Sequence, residues 1–247
     1  MADDEKEVVI ELSSDSSSES SGVVLLAIRD SNPKGVDGNV DKEIRDALRR
    51  IEAEEASCHA PKEVNAKASK PLESSTPTGY ELIMGAPRRT PTTHAPQLEL
   101  SLTFKKSYFR QGQSAVVDAC MAGRDVIAVM PTGHGKSLCY QITAYCLPGL
   151  TVVIEPLLSL INDQVRSMNS LGVAAATINS TQSRAIDQKP ILEALRELQP
   201  HGGLKLLYIT PEMILRSMEL RTILQNLRDL GLFARIVVDE CHCISQW

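Results

Sequence analysis

From Leu100 onward, short apolar runs alternate with longer amphipathic stretches, and this alternation limits the fold more than any other feature of the chain. Runs that are rich in β-branched residues and bounded by turns predict buried strands. The predicted strands cover residues 125–130, 151–154, 174–178, 204–209 and 234–238. Helices are predicted between them, through Tyr145, over 157–171, over 191–198 and from Pro211. Strands that alternate with helices predict an α/β domain whose parallel sheet is covered on both faces.

Residues 1–99 have a different composition, which predicts a largely disordered N-terminal tail. Serines and acids fill residues 13–21, and six prolines punctuate residues 61–96 in a polar stretch with almost no aromatics. Such a segment buries too little apolar surface to offset the entropy of the chain. One short amphipathic helix is expected at 41–56, where Ile44, Leu48 and Ile51 are three and four residues apart. The globular domain is therefore expected at 100–247.

The charge of the chain is concentrated at its start. The net charge is −5, and residues 1–21 hold seven acidic side chains against one lysine. This distribution excludes a protein that coats nucleic acid through bulk positive charge, but it leaves room for a local cationic groove. The longest apolar run, Val23–Ile28, is far shorter than a membrane helix of about 20 residues, and acids stand where a signal peptide has basic residues. We therefore expect a soluble intracellular protein without a membrane partner.

A glycine-rich segment, residues 130–137, directly follows the first predicted strand of the domain. Glycines let backbone N–H groups turn toward phosphate oxygens, and the helix that follows presents its positive N-terminal end. In this pattern Lys136 would reach the β- and γ-phosphates of a nucleotide, and the Ser137 hydroxyl would bind Mg²⁺. Met130 stands where the strict pattern has glycine. The residues expected to bind the nucleotide phosphates are Thr132, Gly133, His134, Gly135, Lys136 and Ser137.

Two acids, Asp239 and Glu240, follow the last predicted strand. Ligand crevices of open α/β sheets lie outside the carboxyl ends of the strands, so both acids are expected near the phosphate loop. There Asp239 would help to hold Mg²⁺, and Glu240 would orient and deprotonate the attacking water. An acid pair that only caps a strand is the alternative. Together with the phosphate loop, the pair favours nucleotide hydrolysis over a small-molecule kinase.

Five segments, in this order along the chain, resemble the motifs of the RecQ-type superfamily 2 DNA helicases. They are residues 104–113, 130–141, 155–164, 208–212 and 239–247. Residues 234–239 look closest to the Bloom-type eukaryotic branch. The resemblance covers about residues 100–247 and implies a RecA-like P-loop domain that uses ATP and Mg²⁺. It also implies DNA unwinding in the 3′ to 5′ direction, in nuclear recombination and repair. Met at the first loop position is usual in this family.

The resemblance implies roles for further residues. Gln113 would read the adenine edge of ATP, and Arg110 would support nucleotide binding nearby. Contacts with DNA, or coupling of DNA to hydrolysis, are implied for Pro156, Ser159, Thr210, His242, Gln246 and Trp247. Trp247 is the one aromatic present of a loop that stacks on single-stranded bases.

Four residues depart from the family pattern. Lys105 stands where glycine is common, and it is expected to alter the turn into the adenine site. His134 replaces a frequent glycine, and a positive φ there would be strained for histidine. Glu155 replaces serine and is expected to place a carboxylate near the DNA-contacting segment, and Cys241 replaces alanine. Nucleotide binding is expected to survive all four, and an equilibrium titration with Mg-ATP tests this.

The chain ends at Trp247, inside the aromatic-rich loop of the family. The resemblance therefore implies that the second motor lobe and its arginine finger are missing. We expect such a chain to bind nucleotide, to hydrolyse it poorly and not to unwind DNA, since unwinding needs two lobes that move around ATP. The alternatives are a non-motor module that binds nucleotide and SUMO, and a DNA-stimulated ATPase that does not separate strands. By analogy with the family, a type IA topoisomerase would be a partner.

The apolar segment Val8–Leu12 stands directly before the run of serines and acids and resembles a SUMO-interacting motif. An extended strand could add to a sheet edge of the modifier, and the acidic run would meet a basic patch beside it. A plain disordered tail is the alternative. Replacing Val9, Ile10 and Leu12 with alanine is expected to abolish SUMO pull-down.

Overall fold

The computed structural model describes residues 8–11, 21–28, 95–131, 133–200 and 202–239, and the two N-terminal segments are characterised by their backbone pairing. The strands are β1 Val8–Glu11, β2 Ser21–Ile28, β3 Val126–Pro131, β4 Leu150–Ile154, β5 Ala175–Ile178, β6 Leu206–Ile209 and β7 Phe233–Val238. The helices are α1 Pro96–Leu102, α2 Gln113–Met121, α3 Lys136–Cys146, α4 Leu158–Ser170, α5 Lys189–Arg196, α6 Pro211–Arg216 and α7 Met218–Asp229, with a π-helical turn at Arg184–Gln188 before α5. Within these ranges no helix is long and apolar enough to span a membrane.

The strands form one sheet in the order β1-β3-β2-β7-β4-β6-β5. β4 runs parallel to β7 and β6, β5 runs parallel to β6, and β1 runs parallel to β3. β2 is antiparallel to both of its neighbours, β3 and β7. The other six described strands therefore share one direction, and the carboxyl ends of β3 and β7 lie at the same edge. The predicted α/β domain with a parallel sheet is confirmed, with β2 as a reversed strand inside it.

Alternate side chains of the central strands enter two different cores. On β6, Leu207 and Ile209 pack with residues of α5 and α7, whereas Leu206 and Tyr208 pack with residues of α1 to α4. All four are fully buried, and full burial of a large apolar side chain contributes about 1.5–3 kcal/mol. Both faces of the sheet are thus covered by helices, as the near-continuous apolar runs of the strands predict.

The N-terminal region contains described elements that its composition did not predict. β1 and β2 lie within the segment expected to be disordered, and α1 begins at Pro96 and crosses the expected domain boundary between residues 99 and 100. Leu100 of α1 is fully buried in the core that also contains residues of α2, α3 and α4, so α1 packs as part of the folded domain. The helix predicted at 41–56 lies outside the described residues.

β2 is the element that joins the phosphate-loop strand β3 to β7, because both pair with β2 in the sheet. Deleting residues 1–29 removes this strand and leaves backbone groups of β3 and β7 unpaired. Each lost hydrogen bond costs about 1 kcal/mol net, and 1 kcal/mol shifts Tm by about 2–4 °C in a domain of this size, so we expect Tm to fall by at least ~10 °C. Deletion of residues 1–7 keeps both strands and serves as the control in thermal unfolding. Equal Tm values for the two deletions would contradict the central place of β2.

Candidate functional site

Four polar side chains form a row at the carboxyl edge of the sheet. Each directly follows the last residue of a parallel strand: Asp239 after β7, Glu155 after β4, Thr210 after β6 and Asn179 after β5. The strand register places them side by side, since Ile154 pairs with both Val238 and Ile209, and Ile209 also pairs with Ile178. All four are between 2% and 4% exposed, so the edge is polar but protected from bulk water. This is the edge at which open α/β sheets bind ligands.

The phosphate loop leaves the same edge, between the end of β3 and the start of α3. Gly133 and Gly135 have φ values of 77° and 85°, which only glycine adopts without strain. His134 lies between them without a positive φ, so the strain expected for histidine does not arise. Gly135 is the N-cap of α3, and no side chain of the described residues caps that helix. The first N–H groups of α3 are therefore available to an anion. Thr132 lies outside the described residues.

Three predicted side chains meet beside this loop. The Ser137 hydroxyl donates to Asp239 Oδ2 over 3.5 Å, although the two residues are 102 positions apart in sequence. The mostly buried Lys136 places its Nζ 3.5 Å from the carbonyl oxygen of Met130, which is a long hydrogen bond. A hydroxyl and a carboxylate oxygen that converge next to a helix N-terminus fit Mg²⁺, which prefers oxygen ligands. The ammonium group of Lys136, the residue before Ser137, fits the phosphates that Mg²⁺ accompanies.

The predicted adenine-site residues are held against the phosphate loop. Gln113 Nε2 donates to the carbonyl oxygens of His134 and Gly135, both at 3.0 Å. Gln113 Oε1 accepts a hydrogen bond of 2.8 Å from the backbone N–H of Arg110, and Arg110 Nη1 donates to the Gly133 carbonyl over 2.6 Å. Gln113 is also almost completely buried. In this structure both side chains therefore brace the loop, and their contact with adenine stays a prediction.

Comparison with known proteins gives this arrangement a family. The model of the DEAD/DEAH box helicase family matches residues 110–247, more than half of the chain. The chain belongs to this helicase family. The match begins at Arg110 and takes in the phosphate loop, the row of polar residues at the sheet edge and the acidic motif.

Several curated helicases are similar to the same region. The chain is 41% identical over 153 residues to the RecQ-like DNA helicase BLM of Xenopus laevis, which is 60% of this chain and 11% of that relative. It is 42% identical over 144 residues to the ATP-dependent DNA helicase Q1 of Rattus norvegicus, which is 58% of this chain and 23% of that relative. It is 41% identical over 151 residues to the ATP-dependent DNA helicase RecQ of Haemophilus influenzae, which is 60% of this chain and 22% of that relative.

These relatives bear out the resemblance to RecQ helicases, but they do not assign the chain to one branch of that family. The identities to the Bloom-type, Q1 and bacterial relatives are 41% or 42%, so they do not separate the Bloom-type branch from the others. The chain spans between about a tenth and a quarter of the length of these relatives.

The helicase-family residues expected to contact DNA have different surroundings. Ser159 is exposed in the first turn of α4, and Pro156 is partly exposed just before it. Thr210 is buried, and its hydroxyl has no hydrogen-bond partner among the described residues. In this structure only the segment before and at the start of α4 presents predicted DNA-contacting residues at the surface of the described part. Glu240, His242, Gln246 and Trp247 lie outside the described residues.

Two departures from the family pattern have clear structural outcomes. Lys105 has a φ of 56°, the left-handed conformation that glycine adopts most easily, and its Nζ donates to the Leu102 carbonyl over 2.6 Å. Glu155 is buried, and its Oε1 accepts a hydrogen bond of 3.0 Å from the Leu157 backbone N–H. The Glu155 carboxylate therefore lies next to the segment expected to contact DNA, as predicted, and it is buried at the entry to α4.

Sequence reasoning missed four polar residues next to the metal-fitting oxygens. They are Tyr140 and Gln141 of α3, Gln164 of α4 and Tyr208 of β6. The Tyr140 hydroxyl donates to Asp239 Oδ2 over 3.0 Å, and Gln164 Nε2 donates to Ser137 Oγ over 3.2 Å. Their signal lay inside the motif segments 130–141, 155–164 and 208–212, where these positions had no assigned role.

Proposed function

We propose that this chain carries the ATP-binding lobe of a RecQ-type DNA helicase, an enzyme that couples ATP hydrolysis to DNA unwinding in the 3′ to 5′ direction. The observation that carries the proposal is the contact between Ser137 and Asp239 at the carboxyl edge of the sheet, in the first turn of the helix that begins with Lys136. The similarity to RecQ helicases adds DNA as the substrate, because these relatives are DNA helicases.

Different residues of the site bind the phosphates, hold Mg²⁺ and activate the attacking water. Backbone N–H groups between Gly133 and Ser137 receive phosphate oxygens, and Lys136 moves from the Met130 carbonyl to the phosphates. Ser137 and Asp239 hold Mg²⁺, which when bound neutralises charge that develops on the transferred phosphoryl group. Glu240, next to Asp239 in sequence, orients the attacking water and takes its proton.

Gln113 and Arg110 connect recognition of adenine with the hydrogen bonds that hold the phosphate loop. Gln113 donates to two loop carbonyls, and Arg110 donates to a third. A glutamine amide can pair with the Watson–Crick or Hoogsteen edge of adenine because it carries both a donor and an acceptor. Reading adenine would require Gln113 to exchange loop contacts for contacts with the base, so nucleotide arrival and loop release would occur together.

The DNA side of the function rests on the family resemblance. Pro156, Ser159 and Thr210 are proposed to contact the DNA backbone, His242 to couple hydrolysis to DNA, and Gln246 and Trp247 to sense single strands. Pro156 and Ser159 already lie at the surface of the described part. Work in nuclear recombination and repair, with a type IA topoisomerase as partner, belongs to the same proposal. SUMO binding through Val8–Leu12 would require β1 to add a second strand along its outer edge, or to leave β3.

An ATPase assay with and without single-stranded DNA tests this function. The 247-residue chain is compared with Lys136→Ala, and strand separation is measured separately on a 3′-tailed duplex. If single-stranded DNA stimulates ATP turnover, and if Lys136→Ala abolishes that turnover, the result supports a motor. Stimulated turnover without strand separation supports the DNA-stimulated ATPase instead. Slow turnover is expected of an ATP-binding lobe by itself. Nucleotide binding without any turnover supports the non-motor nucleotide- and SUMO-binding module instead.

A further inference from the structure

Two chains of hydrogen bonds reach the oxygens that fit Mg²⁺, and they start from the neighbouring residues Tyr140 and Gln141 of α3. On one side, Tyr140 donates to Asp239 Oδ2 over 3.0 Å, and Gln141 Nε2 donates to the Tyr208 hydroxyl over 3.4 Å. On the other side, Gln141 Nε2 also donates to Gln164 Oε1, Gln164 Nε2 donates to Ser137 Oγ over 3.2 Å, and Ser137 donates to the same Asp239 oxygen over 3.5 Å. We call these six residues the amide–tyrosine ring.

The donors of the amide–tyrosine ring all point the same way. The amide group of Gln141 has two hydrogens, and it gives one to Tyr208 and one to Gln164. The Tyr140 hydrogen is donated to Asp239 Oδ2. The arm through Gln164 and Ser137 begins at the Gln141 amide and ends at the same carboxylate oxygen of Asp239. Aligned hydrogen bonds polarise and strengthen one another, so the ring holds this oxygen more firmly than one bond would.

The surroundings keep both hydroxyls protonated. Tyr140 and Tyr208 are fully buried, and burial raises the pKa of both well above the usual value for tyrosine. Interaction with Asp239 raises the pKa of each further.

We propose that Tyr140, Gln141, Gln164 and Tyr208 are positioning residues that hold Ser137 and Asp239 in the arrangement that binds Mg²⁺. The inference rests on the proposed function, namely that this site binds a Mg-nucleotide. Groups that orient metal ligands typically change metal affinity 10- to 100-fold when they are removed. With Gln164 donating to it and its own hydrogen given to Asp239, Ser137 Oγ keeps a lone pair for a cation.

The ring also joins the cation site to two other elements. Gln164 lies on α4, whose first turn carries Ser159, and Tyr208 lies two residues before Thr210 at the end of β6. A shift of α4 would therefore lengthen the hydrogen bond from Gln164 to Ser137 and move a metal-holding oxygen. The amide–tyrosine ring thereby gives a direct path between the segment proposed to contact DNA and the oxygens proposed to hold Mg²⁺.

Mg²⁺ titration of nucleotide binding tests the ring. Binding of a fluorescent ATP analogue is measured against Mg²⁺ concentration for the wild-type chain, Tyr140→Phe, Gln164→Met and the double variant. We expect each single variant to raise the Mg²⁺ concentration for half-maximal binding about 10-fold or more, with little change in nucleotide binding measured in EDTA. The double variant is expected to resemble the single variants, because opening one arm already breaks the ring.

The control is Tyr145→Phe, which removes a hydroxyl from another buried tyrosine further along α3, whose aromatic ring packs at 6.1 Å from that of Phe104. It is expected to leave the Mg²⁺ requirement unchanged, and thermal unfolding checks that all variants are folded. If Tyr140→Phe and Gln164→Met both keep the Mg²⁺ dependence of the wild-type chain, the positioning role of the ring is overturned and the proposed function is not. Equal loss of binding in Mg²⁺ and in EDTA would also overturn the positioning role, because that indicates general damage. Failure of the wild-type chain to bind the analogue would overturn the proposed function instead.

Discussion

Replacement of Lys136 by alanine is expected to weaken Mg-ATP binding about 10- to 100-fold, because a hydrogen bond to a charged group contributes about 1.5–3 kcal/mol. Lys136 is mostly buried, and its ammonium group has a long contact of 3.5 Å with the Met130 carbonyl, which a phosphate oxygen can replace at little cost. The loss falls on the β- and γ-phosphates, so binding of AMP is expected to change much less. Calorimetric titration with ATP and with AMP measures both effects.

Lys205 offers a matched control for this substitution. It too is a partly buried lysine whose Nζ donates to a backbone carbonyl, that of Leu147, over 2.9 Å. Lys205 precedes β6 and therefore lies at the opposite end of that strand from Thr210 and the sheet edge where the phosphate loop lies. Lys205→Ala is expected to keep the wild-type affinity for ATP. Equal losses for the two variants would show that Lys136 acts through general stability and not through phosphate binding.

Replacement of Gly135 by alanine is expected to disturb the loop in the free protein as well as nucleotide binding. A Cβ atom at this position would lie 2.6 Å from Gln113 Nε2, and the φ of 85° is unfavourable for alanine. The amide of Gln113 cannot move aside without losing its hydrogen bonds to His134 and Gly135. We expect a loss of about 2–4 kcal/mol in the free energy of unfolding, from backbone strain and overpacking together. Denaturant unfolding measures it.

Gly133 and Gln113 supply the controls for this second prediction. Gly133 has a similar φ of 77°, but a Cβ there would meet no atom within 4 Å among the described residues beyond its two chain neighbours. Gly133→Ala is therefore expected to show the strain alone, about 1–2 kcal/mol. Adding Gln113→Ala to Gly135→Ala is expected to cost little more, since the displaced amide has already lost its partners. A Gly133→Ala variant as unstable as Gly135→Ala would contradict the contact with Gln113.

The elements of the domain were predictable where the residues of one short segment are enough to specify a strand or a helix. Val152 to Ile154 and Leu206 to Ile209 form continuous apolar runs, and both became strands with two buried faces. The segment from Pro211 onward was predicted as one helix but forms α6 and α7, because the Ser217 side chain accepts from the Leu220 N–H and starts a new helix. β2 was missed because its place depends on pairing with strands that lie about a hundred and two hundred residues away.

In the candidate site, too, residues marked by a local sequence pattern were predicted, and residues defined by distant contacts were not. The sequence predicted site roles for Lys136, Ser137 and Asp239, because phosphate-binding and Mg²⁺-binding residues of this type stand at set positions just after a strand. No such role was predicted for Tyr140, because its one distinguishing contact is with Asp239, 99 positions away. A buried tyrosine or glutamine in an apolar helix looks the same in sequence whether it packs in the core or holds a carboxylate. Such roles depend on tertiary proximity, which local patterns do not contain.

The most direct measurement of the central claim is an equilibrium titration of the 247-residue chain with ATP, in Mg²⁺ and in EDTA. The site described here predicts saturable binding of one nucleotide per chain, weaker in EDTA because Ser137 and Asp239 then lack their cation. Binding is also predicted to weaken in Lys136→Ala and to persist in Lys205→Ala. Absence of saturable binding, or binding that neither EDTA nor Lys136→Ala weakens, would contradict the assignment of this sheet edge as a Mg-nucleotide site.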